Sequence, residues 1–371
     1  MRSVDVVIVG AGAAGIGMAR ALQAIAGLEC EVLEGGRIGE SFRRWPAQTR
    51  FITPSFYSNP FGLSDLNAVD AASSPALFAG VEHLDGEQYA DYLAFVAKAT
   101  GLAVTCQCKV LGVTRRPDGY FELDTEQGDY EARFVIWACG EYQFPDLKPF
   151  PGGQWCLHYA NAADWQALDP GHYTVIGGYE SGVDAVVNLV RLGHSVRLLV
   201  RRATWEQPGV HDPSVALSPY SQQRLRELQP GGALQIIYGA DVVEVSVDAD
   251  GGARIHAADG RYWDSQTPPI LGTGFLKGGG ARQIAELWSW DENGRIRLSE
   301  RDESLRTPGL FLVGPQVRHE PLIYCFIYKF RQRFALIAEQ IAVRLGLEHA
   351  GQEQGSWGPF GNAECCEGCQ C

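Results

Sequence analysis

The 371-residue chain is short of positive charge: 31 Lys and Arg stand against 44 Asp and Glu, a formal net charge of −13. That balance argues against nucleic acid or an anionic membrane surface as partner. No apolar run approaches the ~20 residues that a membrane helix needs. The opening Met1-Arg2-Ser3-Val4-Asp5 leads straight into an apolar strand pattern and lacks the cleavage region of a signal peptide, so a cytoplasmic location is expected. Cysteine is not scarce, with ten in the chain. Six are scattered (Cys30, Cys106, Cys108, Cys139, Cys156, Cys325), most of them in apolar surroundings as small core residues are. The other four crowd the last seven residues. The length suffices for two domains with full cores.

What is present is concentrated first in Val4 to Glu34. The apolar run Val6–Val9 reads as a strand buried on both faces. Gly10, Ala11, Gly12, Ala13, Ala14 and Gly15 fit G-x-G-x-x-G, Ile16 to Ala26 reads as a helix, and Cys30–Leu33 as a second strand ending at Glu34. Gly10 permits the tight turn, Gly12 lets backbone approach a pyrophosphate, and Gly15 lets helix and strand pack closely. The helix N-terminus offers free N–H groups to that phosphate. Glu34 stands where a carboxylate accepts hydrogen bonds from a ribose hydroxyl.

The unit recurs. His172–Ile176 is a strand, Gly177-Gly178-Tyr179-Glu180-Ser181-Gly182 a variant of the turn, Val183–Leu192 a helix with Gly193 as its C-cap, and Ser195–Val200 a second strand. Laying Gly10 on Gly177 and Gly15 on Gly182 puts Glu34 on Arg201. A guanidinium in place of the carboxylate suits a nucleotide with a 2′-phosphate, and Arg202 reinforces it. The first site is therefore expected to hold an unphosphorylated dinucleotide and the second NADPH. A surface Arg pair following a strand is the competing reading. Tyr179 in place of the middle glycine keeps the backbone further from a pyrophosphate.

Gly35 to Pro60 is rich in Arg, Pro and aromatics, including Ser41, Phe42, Arg43, Arg44 and Trp45. It reads as cover for a flat ring system and phosphates, or as an ordered connecting loop. Asp85–Thr100 is expected to be a helix, and Ala103–Leu111, Tyr120–Asp124 and Ala132–Trp137 strands of an antiparallel insert. Leu234–Ile237, Asp241–Val247 and Ala253–Ala257 are expected as the small sheet of the second unit. Pro269 to Gly274 echoes the turn Trp137-Ala138-Cys139-Gly140, and Leu310–Gly314 is a further apolar strand ending at glycine. Pro321–Leu345 carries apolar residues at helical spacing. From His349 the chain turns Gly-, Gln- and Glu-rich and reads as a linker.

This layout resembles the two-dinucleotide-binding-domain flavoproteins: thioredoxin reductase-like enzymes, bacillithiol disulfide reductase-like proteins and flavin-containing monooxygenases. Gly39 to Trp45 resembles a segment beside the isoalloxazine, and Val175 to Gly182 an NADPH turn. The resemblance implies an α/β fold of two Rossmann-like three-layer dinucleotide-binding domains. The NADPH domain (151–267) is inserted into the FAD domain (1–150 and 268–348), and a Gly-rich linker with a Cys-rich tail (349–371) follows. It implies FAD and NADPH as cofactors. The candidate cofactor-binding residues are Gly10, Gly12, Ala13, Ala14, Gly15, Glu34, Gly35, Ser41, Phe42, Trp45, Cys139, Gly140, Gly177, Gly178, Glu180, Ser181, Gly182, Arg201, Arg202, Gly274 and Gly314. The chain departs from the family at four points. Ala138-Cys139-Gly140 stands for Ala-Thr-Gly, and Gly314-Pro315 for a Gly-Asp whose acid meets the ribityl chain. The Cys-x-x-Cys of thioredoxin reductases is absent from the NADPH domain. The monooxygenase pattern F-x-G-x-x-x-H is missed too, because His158 comes two residues late after Phe150 and Gly152.

The tail Cys365-Cys366-Glu367-Gly368-Cys369-Gln370-Cys371 has no apolar company and so is no core. In a reducing compartment such clusters are redox relays or metal sites. Cys366 and Cys369 form a C-x-x-C that can close a disulfide. Adjacent ligands at 365 and 366 strain a mononuclear metal site, which favours redox. Cys365, Cys366, Cys369 and Cys371 are the candidate catalytic residues, and no resident metal is expected. Cys139, Cys325 and His319 are weaker candidates beside the flavin. The expected activity is NADPH-dependent electron transfer through FAD to a small-molecule or protein disulfide, or to a soft metal ion, with help of the C-terminal cysteines, in a homodimer. The alternative is a monooxygenase or oxidase using O₂, with the tail accessory.

Overall fold

A computed structural model describes residues 1–57, 63–205, 212, 214–228, 231–249 and 251–348. Two compact units result. Met1–Arg43, Thr53–Gln143 and residues 277–348 form the first, and Arg44–Ile52 with Phe144–Leu276 form the second.

The strand Arg2–Val9 is central to the first unit, and Val6, Val7 and Ile8 are fully buried because both faces are covered. It pairs in parallel with Cys30–Leu33 on one side and Tyr130–Trp137 on the other. Val104–Thr105 extends the sheet beyond Cys30–Leu33, and Leu310–Leu312 pairs in parallel with the end of Tyr130–Trp137. Phe121–Thr125 and Val110–Arg115 add antiparallel strands, as the alternation of the insert predicts. The helix Ala13–Leu22 lies on this sheet. It starts three residues earlier than its apolar pattern suggests, because the glycine turn itself supplies its first turn. It packs so closely on the helix Phe334–Leu345 that a Cβ on Gly17 would come within 2.5 Å of the Phe334 ring.

The helix Gly86–Ala99 matches its expected span. Asp85 and Gln88 form a reciprocal capping box, and Tyr89, Tyr92, Leu93 and Val96 form its buried face. Two expectations need correction here. The strand expected over Ala103–Leu111 is broken: Cys108 N–H donates to Glu34 O (2.8 Å) and Gln107 takes a positive φ, so the chain turns before re-entering the sheet. The helix expected from Pro321 begins at Ile327, because Leu322–Ile323 pairs as a strand with Arg318–His319.

In the second unit the parallel order is Leu234–Tyr238, Ser195–Val200, His172–Ile176, Ile270–Leu271, Leu157–His158. Leu234–Tyr238 therefore belongs to the parallel sheet rather than to the small one, which is built from Val242–Val247, Ala253–Ala257 and Tyr262–Ser265. Ile176, Leu199, Leu271 and Ile255 join the two sheets in one buried cluster. Helix Glu180–Arg191 covers the parallel sheet with Val183, Val186, Val187 and Leu189.

The boundaries fall at 143/144 and 276/277, outside the expected 150/151 and 267/268, because the outgoing and returning segments pair with each other. Pro145 bridges Phe275, and Leu276 N–H donates to Phe144 O at 2.8 Å. Residues 44–52 also join the second unit. Ala47 N–H donates to Ala163 O (2.9 Å), Gln48 Nε2 to Asp164 (2.5 Å), and Thr49 Oγ1 to Asp184 (2.8 Å). Among the described residues no helix is long and apolar enough to cross a membrane.

Candidate functional site

In the first unit the glycine turn is fixed by sterics. Gly10 has φ +105°, a region that favours glycine, and its N–H donates to Leu33 O at 2.7 Å. A Cβ on Gly10 would lie 2.8 Å from Ala138 O, and one on Gly15 would lie 1.9 Å from Gly10 O. Gly12 differs: it is the extended N-cap residue with no side-chain cap, and a Cβ there would meet nothing within 4 Å. The backbone N–H groups of the first helical turn, with Ala13 and Ala14, therefore stand without a side-chain cap at a surface that a phosphate can reach. Glu34, only 8% exposed, accepts Ala11 N–H at 2.7 Å on one oxygen and Gly36 N–H at 2.8 Å on the other. These bonds fix the carboxylate at the rim of the turn. A dinucleotide fits this cradle.

Around it stand the other expected residues. Gly314 takes φ +103°, and its Cβ position lies 3.2 Å from Ala14 Cβ. Gly140 takes φ +62° and follows Cys139, whose thiol faces Val9 O at 3.6 Å. Burial pushes the Cys139 thiol pKa up, so it packs as a protonated group. A Cβ on Gly35 would only reach ordinary contact with Lys109, at 3.5 Å. Ser41 Oγ accepts from Gln143 Nε2 at 3.1 Å, and Phe42 meets the Tyr89 ring edge-on at 4.7 Å. Trp45, expected beside Ser41 and Phe42, belongs to the second unit, where it packs on Phe51 at 5.0 Å. Sequence inspection missed Glu141 and Gln316, which are hydrogen-bonded to each other. An acid directly after Ala138-Cys139-Gly140 was the available signal.

The second cradle repeats the first. Gly177 has φ +110°, and a Cβ on Gly182 would lie 1.8 Å from Gly177 O. Gly272 backs this turn as Ala138 backs the other, so Thr273 is the counterpart of Cys139 and Gly274 of Gly140. Gly274 O accepts His158 Nε2 at 2.9 Å, which closes the returning segment on the sheet. The register corrects the overlay made by counting residues. Val9 pairs with Leu33 and Ile176 with Leu199, so the counterpart of Glu34 is Val200, and Arg201 is one residue further on. The Val200 methyls fill the place of the carboxylate, and a Cβ on Gly178 would lie 2.6 Å from one of them. A cavity of about 370 Å³ opens here, lined by Gly177, Tyr179, Arg201, Arg202, Trp205 and Thr273 among others. Tyr179 takes the N-cap place of Gly12, and its hydroxyl donates to Ala216 O at 3.0 Å. Glu180, in the first helical turn beside Ser181, accepts from Ser218 N–H (2.6 Å) and Ser221 Oγ (2.6 Å). Burial raises its pKa against those bonds. Trp205, whose indole N–H donates to Gly178 O, was also missed by sequence.

His319 proves to be part of an ion cluster: its ring contacts Asp302 at 2.5 Å, and Asp302 takes two N–H groups of Arg333 at 2.9 and 3.0 Å. Cys325 lies two residues ahead of the helix Ile327–Phe330. Among the described residues no group of three or more His, Cys, Asp or Glu could hold a metal ion. Cys365, Cys366, Cys369 and Cys371 lie outside the described residues.

Two glycine cradles at the ends of parallel strands in two sheets, the second unit inserted in the first, define a two-dinucleotide-fold protein. The sequence matches the pyridine nucleotide-disulphide oxidoreductase family over residues 7–314, and the chain belongs to that family. Among curated relatives, it is 26% identical over 190 residues to an uncharacterized CzcO-like oxidoreductase of Geobacillus kaustophilus, a match spanning 50% of this chain and 51% of that protein. It is 23% identical over 240 residues to the bacilliredoxin reductase Bdr of Bacillus subtilis, covering 65% and 68%. Among solved structures, a bacillithiol disulfide reductase from Staphylococcus aureus is similar with TM-score 0.72 at 19% identity, covering 93% of this chain and 99% of that one. A flavin-containing monooxygenase from Stenotrophomonas maltophilia is similar with TM-score 0.70 at 17% identity, covering 93% and 100%. Membership marks the chain as an oxidoreductase of a pyridine nucleotide-dependent family.

Proposed function

We propose that this protein takes electrons from NADPH through FAD to a disulfide-type acceptor. The observation that carries the reading is the contrast at the strand ends of two like cradles: a carboxylate clamped on one turn, and an apolar residue followed by two arginines on the other. Glu34 suits a ribose with free hydroxyls. Arg201 and Arg202 suit a 2′-phosphate, which no carboxylate at Val200 repels. Gly10, Gly12, Ala13, Ala14 and Gly15 hold the FAD pyrophosphate at the first helix N-terminus, with Gly140 and Gly314 at the neighbouring strand ends. Gly177, Gly178, Glu180, Ser181 and Gly182 shape the NADPH turn, with Gly274 behind it. FAD bound in the first cradle supplies two-electron chemistry between a hydride donor and a thiol–disulfide couple.

The disulfide-type acceptor is supported by the reductase relatives, and the relay by the tail sequence. Cys366 and Cys369 have the spacing of a dithiol that opens and closes, with Cys365 and Cys371 beside them. The cysteines Cys30 and Cys156 are poor alternatives, because burial pushes each thiol pKa up to about 12.

The test is an anaerobic NADPH titration of the full chain and of a version ending at Gly361, following the flavin absorbance and counting free thiols. A relay predicts that the full chain takes up one more two-electron equivalent and gains two thiols more than the shortened one. Equal uptake with no thiol gain sinks the relay. Rapid NADPH-driven oxygen consumption in both would then favour the monooxygenase reading.

A further inference from the structure

In open α/β sheets a ligand lies across the C-terminal ends of the strands, at the strand from which the connections diverge. In the first unit that strand is Arg2–Val9, with Cys30–Leu33 on one flank and Tyr130–Trp137 on the other. Glu34 stands on the first flank. The half of a dinucleotide that points away from Glu34 therefore crosses the ends of Tyr130–Trp137 and Leu310–Leu312. Two polar side chains stand there. Glu141 is four residues past Trp137, and Gln316 is four residues past Leu312.

Their arrangement is built rather than incidental. Gln316 Oε1 accepts Gly278 N–H at 2.8 Å, which fixes the amide so that its Nε2 donates to Glu141 Oε2. Gly280 N–H donates to Gly140 O at 2.8 Å. A Cβ on Gly279 would lie 2.5 Å from Gly140 O and 3.0 Å from Glu141 Cα, so the backbone on which Gln316 leans is fitted directly against residues 140 and 141. All of this orients one carboxyl group. Among the described residues only its Oε2 is engaged, and Oε1 has no protein donor. Burial raises the pKa of Glu141, opposed by the Gln316 hydrogen bond and by the charge of Arg318.

We propose that Glu141, positioned by Gln316, binds a hydroxyl of the sugar-alcohol chain that links the pyrophosphate to the flavin ring. The inference rests on reading the first cradle as the FAD site. Adjacent strands are ~4.8 Å apart, so a group at the neighbouring strand end meets the atoms just beyond the phosphate, ahead of the ring. A hydroxyl both donates and accepts, so it can donate to the Glu141 carboxylate. This contact takes the place of the acid that Pro315 cannot supply.

The experiment strips FAD from the purified protein and measures rebinding of FAD and of ADP, which carries the adenosine and pyrophosphate but no polyol. Glu141→Leu is expected to weaken FAD binding about tenfold, the scale of one lost buried polar contact, and to leave ADP binding unchanged. Glu141→Gln keeps hydrogen-bonding ability and should stay within about threefold of the native protein. Gln316→Leu, which leaves the carboxyl in place but unsupported, should lose a few-fold for FAD only. The visible flavin band should stay in position in every variant. Unchanged FAD binding in Glu141→Leu overturns the proposal. So does an equal loss for ADP, which would make Glu141 a support of the turn, or a band shift, which would put it on the ring. If Glu141→Leu fails to fold, Glu141→Gln and Gln316→Leu decide alone. Native apoprotein that takes up no FAD overturns the reading of the cradle itself.

Discussion

The two cradles share a backbone and differ in one detail of register. In the first, Gly10 N–H bonds to Leu33 O (2.7 Å) and the next residue is Glu34. In the second, Gly177 N–H bonds to Leu199 O (3.0 Å) and the next residue is Val200, with Arg201 one step further. Glu34 reaches back and binds Ala11 N–H, whereas the Val200 methyls pack over Gly178. The turn thus provides a generic phosphate seat. On the function proposed above, the residue at the end of the second strand selects the sugar that accompanies it. A carboxylate selects free ribose hydroxyls. Its removal, with arginines alongside, permits a phosphate there.

The largest expected effect tests the shared part. A Cβ at Gly15 or Gly182 would lie under 2 Å from a carbonyl oxygen, so either Gly→Ala change must displace the turn. The cost should be about 3 kcal/mol of local stability. Gly15→Ala should give colourless protein. Gly182→Ala should stay yellow but lose its response to NADPH. Absorbance and NADPH titration check both, and a shared phenotype would deny that the cradles serve different nucleotides. Next in size, Arg201→Ala should raise the KM for NADPH ten- to a hundredfold and leave NADH little changed, as expected of one charge-assisted phosphate contact. Steady-state kinetics with both nucleotides decide this, and an equal rise for both would mean that Arg201 does not read the 2′-phosphate. Smaller again, Glu34→Gln keeps one acceptor for Ala11 N–H but removes the charge, and FAD affinity should fall about tenfold. Equilibrium dialysis of the apoprotein measures it.

Much of this was legible from residue order because it is local. Gly10 to Gly15 and Gly177 to Gly182 lie within single turns, and the strands that flank them are apolar runs whose ends the glycines mark. The register shift was not legible. Glu34 and Arg201 stand equally far from their first glycines, and only strand pairing shows that one connection absorbs an extra residue. Long-range contacts hid the rest. Nothing near Gln48 announces Asp164, 116 residues away, which helps draw residues 44–52 into the second unit. Glu141 and Gln316 are 175 residues apart, and their pairing follows from the sheet bringing two strand ends together.

The smallest effect concerns the residue behind each first glycine. Cys139 and Thr273 are counterparts, so Cys139→Thr should be nearly neutral at pH 7, within about 0.5 kcal/mol. The hydroxyl can bond Val9 O as the thiol does (3.6 Å). The difference should emerge only in alkali. Burial holds the Cys139 thiol pKa above its ordinary value of 9.0, so its protonated form contributes stability that is full below pH 9 and is lost as pH rises toward the folded value. Threonine does not titrate and should remove that loss. Melting of Cys139→Thr and native protein should therefore coincide at pH 7 and diverge above pH 9, with the variant the more stable. Divergence already at pH 7 would show that Cys139 does more than pack, and would reopen it as a reacting group at the first cradle.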